Sequence, residues 1–292
     1  MKIKMNRRQF LKTFGLVTAT YAAAGVGLDH YGKNVEAERL SVEHIQIPIK
    51  NLEPALQGLK IVHMSDIHLR PFTQIDFIRE AIALSNSLQP DVVALTGDYV
   101  TDEADSIIEL APALGQLDAK YGVFASMGNH EVWTNPVLIR ACLESAGLSV
   151  LVNEGITLQV DQQAIYIAGI DAYMDGNPDL NAALEKSPPG APVVLLAHEP
   201  DPADSYSRDG RVSLQLSGHT HGGQICLPGV RPIAKTPHGE KYYKGLYNVN
   251  GMWVYTTRGI GTGPIPHRIN CPPEVTEITL VRCDALSEVR RT

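Results

Sequence analysis

Several things are scarce in this chain, and each scarcity narrows what it does. Cysteine occurs four times in 292 residues, at Cys142, Cys226, Cys271 and Cys283. No two are spaced Cys-x-x-Cys, which argues against a structural zinc site built from thiolates. Free or buried thiols are expected, with three disulfide pairings formally open. A basic excess is also missing. Lys and Arg number 25 against 32 Asp and Glu, a formal net charge of −7. No long-range field draws the chain to nucleic acid or anionic lipid, and no nucleic-acid partner is expected. A bilayer span needs about 20 apolar residues. The nearest candidate, residues 13–28, is short and rich in Thr, Gly and Ala. Repeats and low-complexity tracts are absent. What is present, 44% apolar and 20% charged residues, is the composition of a soluble globular protein of one large domain or two.

The N-terminus reads as an address. Arg7-Arg8-Gln9-Phe10-Leu11-Lys12 resembles the twin-arginine export signal of bacteria, with Asn6 where Ser or Thr is usual. Ala22-Ala23-Ala24 offers a small-x-small cleavage site, and a retained anchor is the alternative. The expected layout is a signal peptide or anchor over 1–28, a linker and first strand over 29–58, the main domain over 59–282 and a polar tail over 283–292. The signal implies transient partnership with the twin-arginine translocation machinery. It places the mature chain in the periplasm, or on the outer face of the membrane or cell wall, where membrane-surface association is open to it. That route carries folded proteins, often with a cofactor inserted.

Periodicity divides the body into elements. Alternating or fully apolar runs predict strands over 42–49, 59–64, 92–95, 122–127, 149–152, 156–160, 164–170, 193–197 and 214–216. A hairpin over 242–249 and 252–256 turns on Asn250-Gly251, and a closing strand covers 274–281. Helical spacing predicts helices over 77–88, 106–117, 136–146 and 180–186. Five of the apolar runs end directly in a polar cluster. These clusters hold Asp66 and His68, then Asp98, then Asn129 and His130, then His198, then His219 and His221. Ligands of α/β sheets gather at the carboxyl ends of strands, so five loops converging at one sheet edge would pool these side chains. If Gly218–Gly222 runs extended, His219 and His221 point to the same side and reach two metal ions, or one. Gly222 and Gly223 supply room for a sharp turn.

Asp66-x-His68, Gly97-Asp98, Gly128-Asn129-His130-Glu131, His198 and Gly218-His219-x-His221 resemble, in order and spacing, the calcineurin-like metallophosphoesterases. The likeness runs from about residue 59 to 280. His198-Glu199-Pro200-Asp201 and Thr257-Arg258-Gly259-Ile260-Gly261 resemble a bacterial, often exported branch described as phosphodiesterases. The resemblance implies an α/β fold, a four-layer αββα sandwich of two mixed β-sheets. It also implies two divalent or transition metal ions, with Mn, Fe and Zn all suited to mixed N/O ligands. Asp66, His68 and His221 would bind the first, and Asn129, His198 and His219 the second, with Asp98 bridging. A hydroxide bridging the metals would attack phosphorus. His130 would be the catalytic histidine, stabilising the transition state or protonating the leaving oxygen.

The implied substrate is a phosphodiester, a small molecule or a phospholipid or lipid-linked compound. A phosphomonoesterase or nucleotide hydrolase on the same site, or a metal-binding scaffold without turnover, are the alternatives. Relatives often orient the catalytic histidine with an acid three residues past the bridging aspartate. Here that position is Thr101, followed by Asp102. Glu131 is expected to brace its loop and His63 to sit satisfied within a strand. His30, His44, His238 and His267 read as surface residues. Arg258 is equally suited to a phosphate oxygen or a structural role. Tyr99, Tyr242, Tyr243 and Tyr247 are more readily structural than cleft-lining.

Overall fold

The computed structural model describes residues 25–227, 229, 232 and 236–283. The twin-arginine motif at 7–12, the cleavage site at 22–24 and the tail beyond 283 lie outside the described residues. Among the described residues no helix is long and apolar enough to cross a membrane.

The strands are β1 (Ser41–Ile49), β2 (Lys60–Met64), β3 (Val92–Thr96), β4 (Val123–Ser126), β5 (Ser149–Val150), β6 (Glu154–Val160), β7 (Gln163–Gly169), β8 (Val193–Leu196), β9 (Val212–Ser217), β10 (Gly245–Val249), β11 (Met252–Thr256) and β12 (Glu274–Arg282). Residues 25–31 are helical, and beyond them the α-helices are α1 (Ile75–Ser87), α2 (Ile107–Leu114), α3 (Asn129–Trp133), α4 (Pro136–Ser145), α5 (Leu180–Ala183) and α6 (Ala203–Tyr206). One sheet has the order β1-β12-β2-β3-β4-β5, the other β10-β11-β9-β8-β7-β6. Both are mixed. In the first, β2 through β5 run parallel while β12 is antiparallel to β2. In the second, β7, β8, β9 and β11 run parallel, with β6 and β10 antiparallel at the edges.

Alternation along the strands builds the layers. Ile61, Val92 and Ala94 face inward, against Val194, Leu196, Leu214 and Leu216 of the second sheet. Val62, Met64, Val93 and Leu95 face outward, under Ile78 and Ile82 of α1 and Leu110 and Leu114 of α2. Val193 and Leu195 face the other way, packing with Ala203 and Tyr206 of α6. The result is the four-layer αββα sandwich.

Three details depart from the expected elements. Residues 29–58 are not merely ahead of the domain. β1 pairs in parallel with β12 over nine residues, and Ile47 and Ile49 lie in the core between the sheets. The helix expected over 106–117 is a 3-10 turn, Ala104–Ser106, followed by α2. Helices α3 and α6 are additions to the expected elements, because five and four residues are too few to display a 3.6-residue period.

Candidate metal centre

The convergence occurs between two sheets, not along one edge. Three loops leave the first sheet after β2, β3 and β4, carrying Asp66 and His68, Asp98, and Asn129 and His130. Two leave the second sheet after β8 and β9, carrying His198, and His219 and His221. The backbone turns hard at these places. Asp66, His68, Asp98, His219 and His221 all have positive φ, between 46° and 72°. Such conformations are uncommon for non-glycine residues and concentrate where the surrounding structure holds a site in place.

The positive φ values overturn the extended-segment argument for the last pair. His219 and His221 diverge, each toward a different cluster. The turn expected at Gly222 and Gly223 is present, with φ of 60° and 85°. Two other glycines are fixed by close approach. A Cβ on Gly128 would lie 2.3 Å from Asp98 Oδ1, and one on Gly218 would lie 2.2 Å from Asp66 Oδ2. Both loops run against a carboxylate with no space for a side chain.

The side chains form linked groups. His221 Nε2 lies 3.5 Å from Asp66 Oδ1 and 3.0 Å from His68 Nε2. His68 Nε2 lies 3.5 Å from Asp98 Oδ2, and His198 Nε2 lies 3.1 Å from the same oxygen. His219 Nδ1 lies 3.2 Å from His198 Nε2. Asp66, His68 and His221 thus make one candidate metal-holding group, and Asp98, His198 and His219 another. Asp98 also groups with His68 and His130, whose Nε2 is 4.0 Å from Oδ2.

The second ring nitrogens show what these groups are suited to hold. His198 Nδ1 faces the Thr96 carbonyl and His219 Nε2 faces the Pro237 carbonyl at 2.7 Å. A carbonyl only accepts, so these nitrogens carry the hydrogen. In the neutral rings His198 Nε2 and His219 Nδ1 then present lone pairs, toward each other and toward Asp98 Oδ2. Converging acceptors repel unless a cation lies among them, and a metal ion is the cation that mixed imidazole and carboxylate donors fit. Asn129, which lines the same cleft as Asp98 and His219, has its Oδ1 buried with no hydrogen-bond partner among the described residues, a further donor atom of the right kind.

Electrostatics agree with this donor set. Burial pushes His68 down to about 3 and His221 and His219 downward as well, keeping these rings neutral. Burial raises Asp66 to about 6. Burial also works against the charge on Asp98, but the nearby His198 outweighs it and holds that carboxyl well below the usual range. For His198, burial is overcome by the Asp98 charge and hydrogen bond, which raise it well above the ordinary histidine value.

His130 stands at the mouth of the site. Its Nδ1 faces the Thr101 main-chain carbonyl, so the orienting partner is neither the Thr101 side chain nor Asp102. Glu131 braces the loops as expected. It accepts hydrogen bonds from the main-chain N–H groups of Asp98, Tyr99 and Gly128 at 2.8 to 2.9 Å. Glu199 does the same for Tyr173 and Met174, which went unnoticed in the sequence although it follows His198 as Glu131 follows His130.

Arg258 is not available to a phosphate. Its guanidinium bonds Glu43 at 2.7 Å, Glu274 at 2.9 Å and Ser41. The four tyrosines are absent from the cleft wall, where Trp133 is the aromatic residue. Tyr99 is buried, its hydroxyl donating to Ser126 O. His63 is a core residue bonded through Nε2 to Thr96 Oγ1 at 2.9 Å, but its Nδ1 is buried without a partner among the described residues, so the ring is only half satisfied. His30, His44, His238 and His267 all lie outside the clusters.

A family model described as calcineurin-like phosphoesterase matches residues 59–223, a span holding every one of these candidate ligands. The chain belongs to that family. Among relatives of this phosphoesterase, the uncharacterized metallophosphoesterase YkuE of Bacillus subtilis (strain 168) is 35% identical over 283 residues, covering 95% of this chain and 98% of its own. Phosphodiesterase YaeI of Escherichia coli (strain K12) is 32% identical over 288 residues, covering 95% and 100%. A transmembrane protein with metallophosphoesterase domain from Bos taurus is 33% identical over 260 residues, covering 84% of this phosphoesterase and 58% of its own length.

Proposed function

We propose that this phosphoesterase is a two-metal phosphodiesterase working outside the cytoplasmic membrane. The observation that carries the reading is Asp98 Oδ2, one oxygen facing nitrogens of both metal-holding groups. Asp66, His68 and His221 would hold one ion, and Asn129, His198 and His219 the other, with Asp98 shared. Mn, Fe and Zn all fit such donors. When bound, a pair of divalent ions supplies Lewis-acid charge to the phosphate oxygens and lowers the pKa of water. The diester preference is supported by the name of the YaeI relative.

The protein's own residues do the rest. The Thr96 and Pro237 carbonyls hold His198 and His219 in the tautomers that free their coordinating nitrogens. Only two carboxylates serve as ligands, so the loaded site keeps a positive excess for an anionic diester. His130, its Nδ1–H directed at Thr101 O, presents Nε2 to the cleft. With a second hydrogen on Nε2, the imidazolium would donate to a phosphoryl oxygen and pass that Nε2 proton to the departing oxygen, leaving the ring neutral with its hydrogen on Nδ1. Trp133 lies against it at 4.9 Å between ring centroids and limits its rotation.

The test is hydrolysis of a bis-aryl phosphodiester. Chelation is expected to abolish turnover and Mn²⁺ to restore it, and faster cleavage of the matching monoester would overturn the diester preference. His130→Ala is expected to lower kcat ~10²–10⁴-fold while metal content stays at the wild-type level. Metal analysis separates the two groups: His221→Ala should lose the ion held with Asp66, and His219→Ala the ion held with His198. Full retention of both ions in both variants would refute the division. For location, replacing Arg7 and Arg8 by Lys should leave precursor in the cytoplasm, and unchanged export would dismiss the twin-arginine route.

A further inference from the structure

A cleft of about 400 Å³ opens beside the metal-holding groups. His68, Asp98 and His130 form its floor, but much of its wall is apolar: Trp133, Met174, Ile225, Pro237, Pro264 and Ile265. Trp133 and Ile265 remain 50% and 46% exposed. Large apolar side chains left open to water at a reactive centre mark a binding surface. Both sides of the wall are held. Trp133 Nε1 donates to Asp175 at 2.8 Å, and the adjacent Met174 N–H donates to Glu199 at 2.9 Å. Across the cleft the Gln224 side chain donates to Ile265 O, and Ile225 bridges to Ile269. The surface is therefore formed before substrate arrives.

Resting on the diesterase reading, we propose that this wall receives an uncharged alkyl or aryl ester substituent of the phosphodiester. Specificity then follows apolar area in place of sugar or base hydrogen bonding. The test uses alkyl glyceryl phosphodiesters from methyl to hexyl, followed by ³¹P NMR with the Mn²⁺-loaded protein. The glyceryl side is polar and constant. Burial of each added methylene should raise kcat/KM about three- to fourfold until the wall is covered. Ile265→Ser should flatten that slope. Hydrolysis at rates that are flat or falling with chain length would overturn this proposal alone. Absence of hydrolysis across the series would overturn the diesterase reading and this one with it.

A separate observation concerns the two buried cysteines. Cys226 Sγ lies 3.3 Å and Cys271 Sγ 3.6 Å from the same oxygen, Gly222 O, and Cys271 Sγ lies 3.2 Å from His221 O. Lys244 Nζ donates to Cys226 Sγ at 3.8 Å, a cation beside the sulfur that favours its thiolate. Cys226 N–H bonds Ile269 O at 2.8 Å, so the two backbones already run side by side. We infer that Cys226 and Cys271 close into a disulfide stapling the His221–Cys226 loop to residues 269–271.

A small disulfide such as glutathione disulfide is the oxidant. Cys226 thiolate attacks one of its sulfurs and expels a thiolate. Cys271 then attacks Cys226 and expels the second, its proton passing to the departing thiolate. After incubation with glutathione disulfide, maleimide labelling in denaturant should find two free thiols, Cys142 and Cys283. Peptide mapping should find Cys226 linked to Cys271. Four labelled thiols, or a link through Cys142 or Cys283, would overturn the assignment.

Discussion

Asp98→Asn is expected to lower metal-dependent diester hydrolysis on the order of 10³-fold and to deplete metal from both groups together. Asn has the same shape, so the Asp98 Oδ1 bond from the His130 N–H, and the contact with Gly128, can persist. The charge does not persist. Oδ2 is the oxygen within 3.5 Å of ring nitrogens of both His68 and His198, one from each donor set. Several kcal/mol of charge stabilisation depend on a carboxylate there, and about 1.4 kcal/mol corresponds to a tenfold change. Steady-state kinetics with elemental analysis of the same preparation checks this. Near-normal turnover with both ions retained would remove Asp98 from its bridging role.

Arg268→Met is expected to destabilise the fold by about 3–5 kcal/mol, read as a fall in the urea midpoint. Arg268 is fully buried, and among the described residues no carboxylate bonds it. Its guanidinium donates to the carbonyls of Arg258, Gly259, Gly261 and Cys271. Met fills the volume and supplies no donor, so four carbonyls lose partners in a water-poor place. The loop it ties presses on the site. A Cβ on Gly259 would lie 2.7 Å from Asp66 Cβ, and one on Gly261 would lie 2.0 Å from Ile67 O. Metal retention should therefore weaken in the Asp66 group along with stability. An unchanged urea midpoint would make the buried guanidinium dispensable.

Arg258 and Arg268 show what kind of information the sequence carried. Arg258 stood within a motif-like run and drew notice, yet it is tied to Glu43 and Glu274. Arg268 drew none, because its partners are main-chain carbonyls that every residue type bears. His130 follows the same rule. In place of the acid that relatives often use stands the Thr101 carbonyl, which position 101 would supply with any residue. The cleft wall was unread for another reason. Trp133, Met174 and Ile265 lie far apart in the chain, and nothing in local periodicity brings them together.

The chain by itself marked the buried strand faces and the polar side chains at the strand ends, while the layers and the donor roles came from its resemblance to the calcineurin-like family. Apolar alternation sets which strand faces are buried, and each candidate ligand is joined covalently to the end of such a strand. Their order along the chain therefore already named Asp66, His68, Asp98, Asn129, His198, His219 and His221. The family resemblance implied how these divide, and only the tertiary structure shows what makes them do so. The loops come from two sheets, so grouping depends on how the sheets face each other. Positive φ at His219 and His221 then sends neighbours to different groups. Distant carbonyls choose the tautomers. Each of these is a long-range contact, and a periodicity read over a few residues has no access to it.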